Sequence, residues 1–180
     1  MRGFTLIELM VTLVVFGMVI GVGVPKLLKF IDYHKSASSI NSFIRVLRLG
    51  RLYSLENRRS YTVCALKNDL CSRSWQGEYT VFEDINHNAV LDDDETVVWN
   101  ASDLSEYGEW TKKRDSQAYV RFDESGHAFS SATTFLYCPD SQLQEHARQV
   151  IINFQGRIRI QSYLTSRGTP YASARPLHCP

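Results

Sequence analysis

Between Arg73 and Lys112 the chain has no lysine or arginine, and after Glu145 it has no aspartate or glutamate. The first gap holds ten acidic residues, with Asp92, Asp93, Asp94 and Glu95 consecutive; the second holds Arg148, Arg157, Arg159, Arg167 and Arg175. A formal net charge of +1 thus conceals an acidic middle and a basic end, so the average excludes nothing about partners. Catalytic motifs are lacking too. The five histidines, His34, His87, His127, His146 and His178, are scattered. There is no His-Glu-x-x-His pair, no glycine-rich phosphate loop and no serine in a nucleophile elbow. These absences argue against the common zinc-hydrolase, nucleotide-binding and serine-hydrolase classes, and no enzyme activity is expected.

Cysteine is sparse but even: Cys64, Cys71, Cys138 and Cys179. No Cys-x-x-Cys and no paired histidine lies nearby, so the usual zinc spacings are absent. An even set suits disulfides in an oxidising compartment, where four cysteines permit three connectivities. Cys64 and Cys71 are seven residues apart, which suits a staple across a hairpin or loop. Cys138 and Cys179 would then tie the C-terminal tail to the end of a strand, closing a loop worth about 3–4 kcal/mol by chain entropy.

What the chain does have is one long apolar run. Residues 4–24 carry a single charge, Glu8, and as a helix would reach about 31 Å, the thickness of a hydrocarbon core. A cleaved secretory signal fits poorly. Only Met1, Arg2 and Gly3 precede the run, no small-x-small site follows it, and a helical pattern continues beyond Pro25. A carboxylate inside such a run is costly and is normally retained for a function. Leu28, Ile31, Ile40, Phe43, Ile44, Leu47 and Leu55 keep helical spacing, with Lys29, Lys35, Asn41, Arg45 and Arg48 on much of the other face. One helix of about 80 Å from residue 4 to roughly 57 is expected, with Gly21, Gly23 and Pro25 as its weak points.

From Tyr61 on, short β-branched and aromatic runs are separated by Gly, Asn and Asp. Strands are expected at 61–66, 78–83, 96–99, 119–122, 134–137, 149–153 and 157–163, forming an antiparallel, sandwich-like domain beside the helix: an α+β fold. Trp75, Trp99 and Trp110 read as core or hairpin packing. No internal repeat or low-complexity tract is present.

Gly3-Phe4-Thr5-Leu6-Ile7-Glu8, followed by Leu9-Met10-Val11, resembles the class III signal of type IV pilins and type II secretion pseudopilins. The resemblance implies cleavage by a prepilin peptidase between Gly3 and Phe4 and methylation of the new N-terminal Phe4. It implies that Glu8 meets the N-terminal amine of a neighbouring subunit during assembly, which would make a carboxylate tolerable in low dielectric. The implied organisation is a leader at 1–3, a transmembrane and filament-core helix at 4–25, an amphipathic continuation at 26–58 and a periplasmic β domain at 59–180. Lys26, Lys29 and Lys35 beyond the run would by the positive-inside rule keep that domain in the cytoplasm. The even cysteines and the family orientation place it outside, anchored in a bacterial inner membrane and later on a pilus.

Gln155-Gly156-Arg157-Ile158-Arg159-Ile160 reads as a turn, supplied by Gly156, entering a strand. In an extended chain Arg157 and Arg159 project from one face about 7 Å apart, with Ile158 and Ile160 turned to the core. Two exposed guanidinium forks suit phosphate contact. Arg167 and Arg175, spaced by Ser, Thr, Gly and Tyr, suit a basic loop following a nucleic-acid backbone. A Gly-Arg-x-Arg after a Cys-bearing strand is similar to the GspH/FimT branch of pilin-like proteins (FimT/FimU-like minor pilins). Further similarity lies in Tyr61–Cys64 and Cys71, Trp75-x-Gly77 with Val81-Phe82, and Asp84-x-Asn86. That branch includes minor pilins that bind DNA for natural transformation, and the partner expected for this chain is extracellular double-stranded DNA. The alternatives are a priming or tip subunit without nucleic-acid binding, with the arginines keeping a strand edge soluble or bridging to another pilin, and a type II secretion pseudopilin.

Residues 84–95 match the EF-hand loop pattern, with Asp84, Asn86, Asn88, Asp92 and Glu95 at ligand positions one, three, five, nine and twelve. Ala89 stands where glycine is expected, and a left-handed alanine costs on the order of 1 kcal/mol. Calcium is the one cofactor this pattern admits; a solvated acidic turn between strands is the reading we favour.

Overall fold

The structure, a computed structural model, describes residues 5–101, 107–113, 117–128, 131–141, 144–162 and 179. Gly3, Phe4, Arg167 and Arg175, and the end of the last expected strand, lie outside the described residues. Helix α1 spans Leu6–Asn57, and the chain divides into two compact units, Met1–Lys35 and Ser36–Pro180. In the first unit every described residue from Thr5 to Ile31 is exposed, and α1 contains a stretch long and apolar enough to cross a bilayer.

The second unit contains the last six turns of α1 and all nine strands found among the described residues. They are β1 Tyr61–Lys67, β2 Leu70–Ser72, β3 Tyr79–Glu83, β4 Val97–Ala101, β5 Gly108–Lys113, β6 Val120–Phe122, β7 Thr133–Pro139, β8 Arg148–Ile152 and β9 Ile158–Ser162. One antiparallel sheet runs β2-β1-β3-β4, with β6 also pairing β1; the other runs β5-β7-β8-β9. β1 is central because its side chains are buried on both faces, Tyr61, Val63 and Ala65 on one and Thr62 and Cys64 on the other.

Both sheets close on one helical side chain. The ring of Phe43 stacks on Trp110 of β5 at 4.0 Å and meets Phe135 of β7 at 4.9 Å and Tyr79 of β3 at 5.4 Å. Truncating so central an aromatic typically costs about 3–5 kcal/mol. Two turns further on, Gly50 lets the helix approach β1: a Cβ there would lie 2.5 Å from a Val63 methyl.

Two of these strands have no counterpart among the sequence expectations. β2 has three residues and is held by pairing Leu66 with Cys71 and by the Cys64–Cys71 disulfide. β5 reads Gly-Glu-Trp-Thr-Lys-Lys, with no β-branched run, and is recruited by Trp110 burying against Phe43 and Tyr137. The second disulfide joins Cys138 at the end of β7 to Cys179, 41 residues on. Trp75 and Trp110 are core residues, whereas Trp99 is 41% exposed. Of core or hairpin packing Trp99 takes the second: it lies on β4 and pairs with Val81 of β3.

Candidate functional site: an arginine-bearing turn and sheet edge

The β8–β9 turn is built from Asn153. Its carbonyl accepts from Gly156 N at 2.9 Å, its Oδ1 accepts from Arg157 N at 2.8 Å, and its own N–H reaches Arg157 O at 3.2 Å. Gly156 has φ +69°, and a Cβ on it would lie 2.0 Å from the Gly126 carbonyl oxygen. The helix braces this turn from below. Arg51 donates through Nε to Gly126 O at 3.0 Å and through Nη2 to Gln155 O at 3.2 Å. Backbone carbonyls of two loops are thus fixed by one guanidinium, which holds Arg157 at a defined start to β9.

β9 is the outer strand of its sheet. Arg157 precedes it and Arg159 lies within it opposite Ile151. Both are exposed, and neither has an ion pair among the described residues. Ile158 packs against the core, as alternation implies, but Ile160 is 50% exposed. That corrects the expectation of two inward isoleucines. Among the described residues no strand lies beyond β9 in the sheet, and alternation alone does not bury its last residues.

Two arginines from the helix stand near this edge. Arg45 and Arg48 are exposed, and the depressions between α1 and β9 are lined by them together with Arg157 and Ile160. In sequence they read only as the polar side of an amphipathic helix. The signal was the absence of any acidic residue between Asp32 and Glu56, with arginines at 45, 48 and 51.

The acidic loop is organised by its own donors. Asp84 is fully buried, its Oδ2 accepting from Thr62 at 2.6 Å and from Arg121 Nη2 and Nε at 2.8 and 3.1 Å. The amides of Asn86 and Asn88 both donate to Asp92 Oδ2, at 2.7 and 2.8 Å. Glu95 accepts from Ile85 N at 2.8 Å and Asp92 N at 3.3 Å. Ala89 is left-handed at φ +59°, the conformation that its place in the loop pattern demands. Among the described residues no three His, Cys, Asp or Glu side chains come together as a metal-binding group.

At the other end of the chain, Thr5 and Glu8 form a reciprocal capping box. Thr5 N and Oγ1 donate to Glu8 Oε2 at 3.0 and 3.1 Å, and Glu8 N donates to Thr5 Oγ1 at 3.4 Å. The carboxylate in the apolar run therefore meets the N–H of Thr5, the residue that precedes α1.

The sequence profile described as type II transport protein GspH matches residues 39–156, which is 118 of the 180 residues. The chain belongs to the GspH family. A second profile, the prokaryotic N-terminal methylation motif, matches residues 1–24. No curated protein sequence matches the chain. The Pseudomonas aeruginosa PAO1 type IV minor pilin FimU is similar in two crystal forms, at 16% identity. Their TM-scores are 0.55 and 0.59, covering 69% and 73% of this chain and 91% and 92% of FimU. The minor pseudopilin EpsH of the Vibrio cholerae type II secretion system aligns with a TM-score of 0.49 at 16% identity, covering 71% of this chain and 97% of EpsH. This GspH-family chain is therefore a pilin-like subunit: a long N-terminal helix on antiparallel sheets, with a methylation motif that implies a prepilin peptidase and assembly with other pilins in a filament.

Proposed function

We propose that this chain is a minor type IV pilin that contacts extracellular double-stranded DNA through Arg157 and Arg159, for uptake in natural transformation. The observation that carries the reading is the pair of exposed arginines without ion pairs among the described residues, Arg157 on a turn clamped by Arg51 and Arg159 on β9, the outermost described strand of its sheet. The backbone that carries them is already ordered, so phosphate contact would order only the two side chains. Arg167 and Arg175 would extend the contact along the backbone. Binding would be independent of base sequence, weak for one subunit and strongly dependent on salt. The family supports a structural and binding role, with no catalysis invoked. Before assembly the β domain would lie in the periplasm, a placement supported by two disulfides.

The name of the family profile, type II transport protein, favours a second reading as a secretion pseudopilin. The two readings separate in the native host. Replacing Arg157 and Arg159 by glutamine should lower transformation by added DNA while surface filaments are still made. Transformation at the parental level, or loss of filaments or of protein export with the same variant, would favour the structural or secretion role.

A further inference from the structure

Two depressions meet along the seam between α1 and β9. One is walled by Arg45, Arg48 and Ile160, the other by Arg48, Arg51 and Arg157, and Leu52 lies in both. Neither is lined by an aspartate or glutamate among the described residues. Arg51 is committed to the turn, but Arg45 and Arg48 have no ion pair among the described residues and are exposed. Uncompensated positive charge thus runs without interruption from the turn on to the helix.

We propose that Arg45 and Arg48 form a second row of phosphate contacts, so that one DNA strand follows the α1–β9 seam from Arg157 to Arg45. This rests on the DNA-contact reading and names the rest of its surface. From Arg45 to Arg51 the helix rises about 9 Å, the length of roughly three phosphates at 3.4 Å per nucleotide of one strand. Arg45 and Arg48 are three residues apart and so share a helix face. Leu52 and Ile160, 54% and 50% exposed, form a narrow apolar floor of the kind that also suits a protein. The charge decides between them: an uncharged segment in the seam would take water from guanidinium groups and return no counter-charge, whereas phosphates supply one at every step. An acidic segment of another subunit is the remaining occupant, and the test separates it.

The test uses the full chain in non-ionic detergent and a labelled duplex of random sequence, with affinity measured against salt concentration. Each phosphate contact contributes about 0.9 to the slope of log affinity on log salt. R45Q/R48Q should therefore flatten the slope by about 1.8 and weaken binding at low salt, while R45K/R48K keeps the slope near wild type. R157Q/R159Q should flatten it independently, and all four changes together should flatten it most. Melting temperatures equal to wild type show that the exposed substitutions leave the fold intact. If R45Q/R48Q keeps the wild-type slope while R157Q/R159Q does not, the second row is refuted and the terminal contact stands. A wild-type slope in R45Q/R48Q with loss of capture of a partner pilin assigns the seam to a protein and overturns the proposal. No salt-dependent binding by the wild type removes both readings.

Discussion

Gly156 and Gly126 approach so closely that a Cβ on Gly156 would sit 2.0 Å from the Gly126 carbonyl oxygen. The obstacle is backbone, and the same carbonyl accepts from Arg51, so it cannot yield without breaking the brace. Gly156 also has φ +69°, where an L side chain costs about 1 kcal/mol by itself. Gly156→Ala should destabilise the protein by about 2–4 kcal/mol, the left-handed cost plus overpacking. Thermal melting in detergent checks this, and DNA affinity should fall with it as Arg157 loses its fixed position.

Arg121 answers a buried carboxylate. Asp84 is 0% exposed, and removal of Arg121 would leave its charge with only the Thr62 hydroxyl. Breaking a buried pair from one side costs about 3–5 kcal/mol, so Arg121→Met should lower the urea midpoint sharply. Adding Asp84→Asn to that variant should restore part of the loss, because the stranded charge is gone. A double variant no more stable than Arg121→Met would show that packing, not charge, sets the cost.

The acidic loop should be indifferent to calcium. Its position-one carboxylate is held by Arg121, and the two asparagine amides already occupy Asp92. A cation would have to displace these donors. Adding calcium, or removing it with a chelator, should leave the melting temperature unchanged. A midpoint that rises with calcium concentration would mean that the native state binds it and that the loop rearranges to do so.

Alkaline stability follows from buried phenols. Burial pushes Tyr137 up, partly opposed by hydrogen bonds with Ser36 and Ser39, and burial likewise raises Tyr61. The unfolded phenol ionises near pH 10, so the folded chain retains protons that the unfolded chain releases. That stabilisation is fully present below about pH 10 and is lost as pH climbs through the raised folded values. Unfolding free energy should therefore fall with rising pH in this range, and Tyr137→Phe should fall less steeply than wild type. Equal slopes would show that Tyr137 is not coupled to folding there.

Much of this architecture was legible because it rests on local periodicity. Seven of the nine strands found among the described residues carry β-branched or aromatic runs, and the helix reads from its spacing to Asn57. β5 was not legible, because its one strong determinant, Trp110, becomes a strand residue only through Phe43, 67 positions earlier. The site divides in the same way. Gly156, Arg157 and Arg159 are visible as a turn and an alternating strand. Arg45, Arg48 and Arg51 join them through helix-to-sheet packing, and no short window of sequence contains that relation. Ile160 was misjudged for a related reason: alternation gives the face, while the position of β9 in the sheet decides whether that face is covered.

The central claim is that arginines at the β8–β9 turn hold DNA, and the most direct measurement is equilibrium binding of unrelated duplex sequences. It compares the full wild-type chain with R157Q/R159Q in non-ionic detergent at low salt. The account predicts binding that is equal across sequences, falls steeply with added salt, and is lost or greatly reduced in the double variant at unchanged melting temperature. Equal affinity of the two proteins, or no binding by the wild type at low salt, would contradict it.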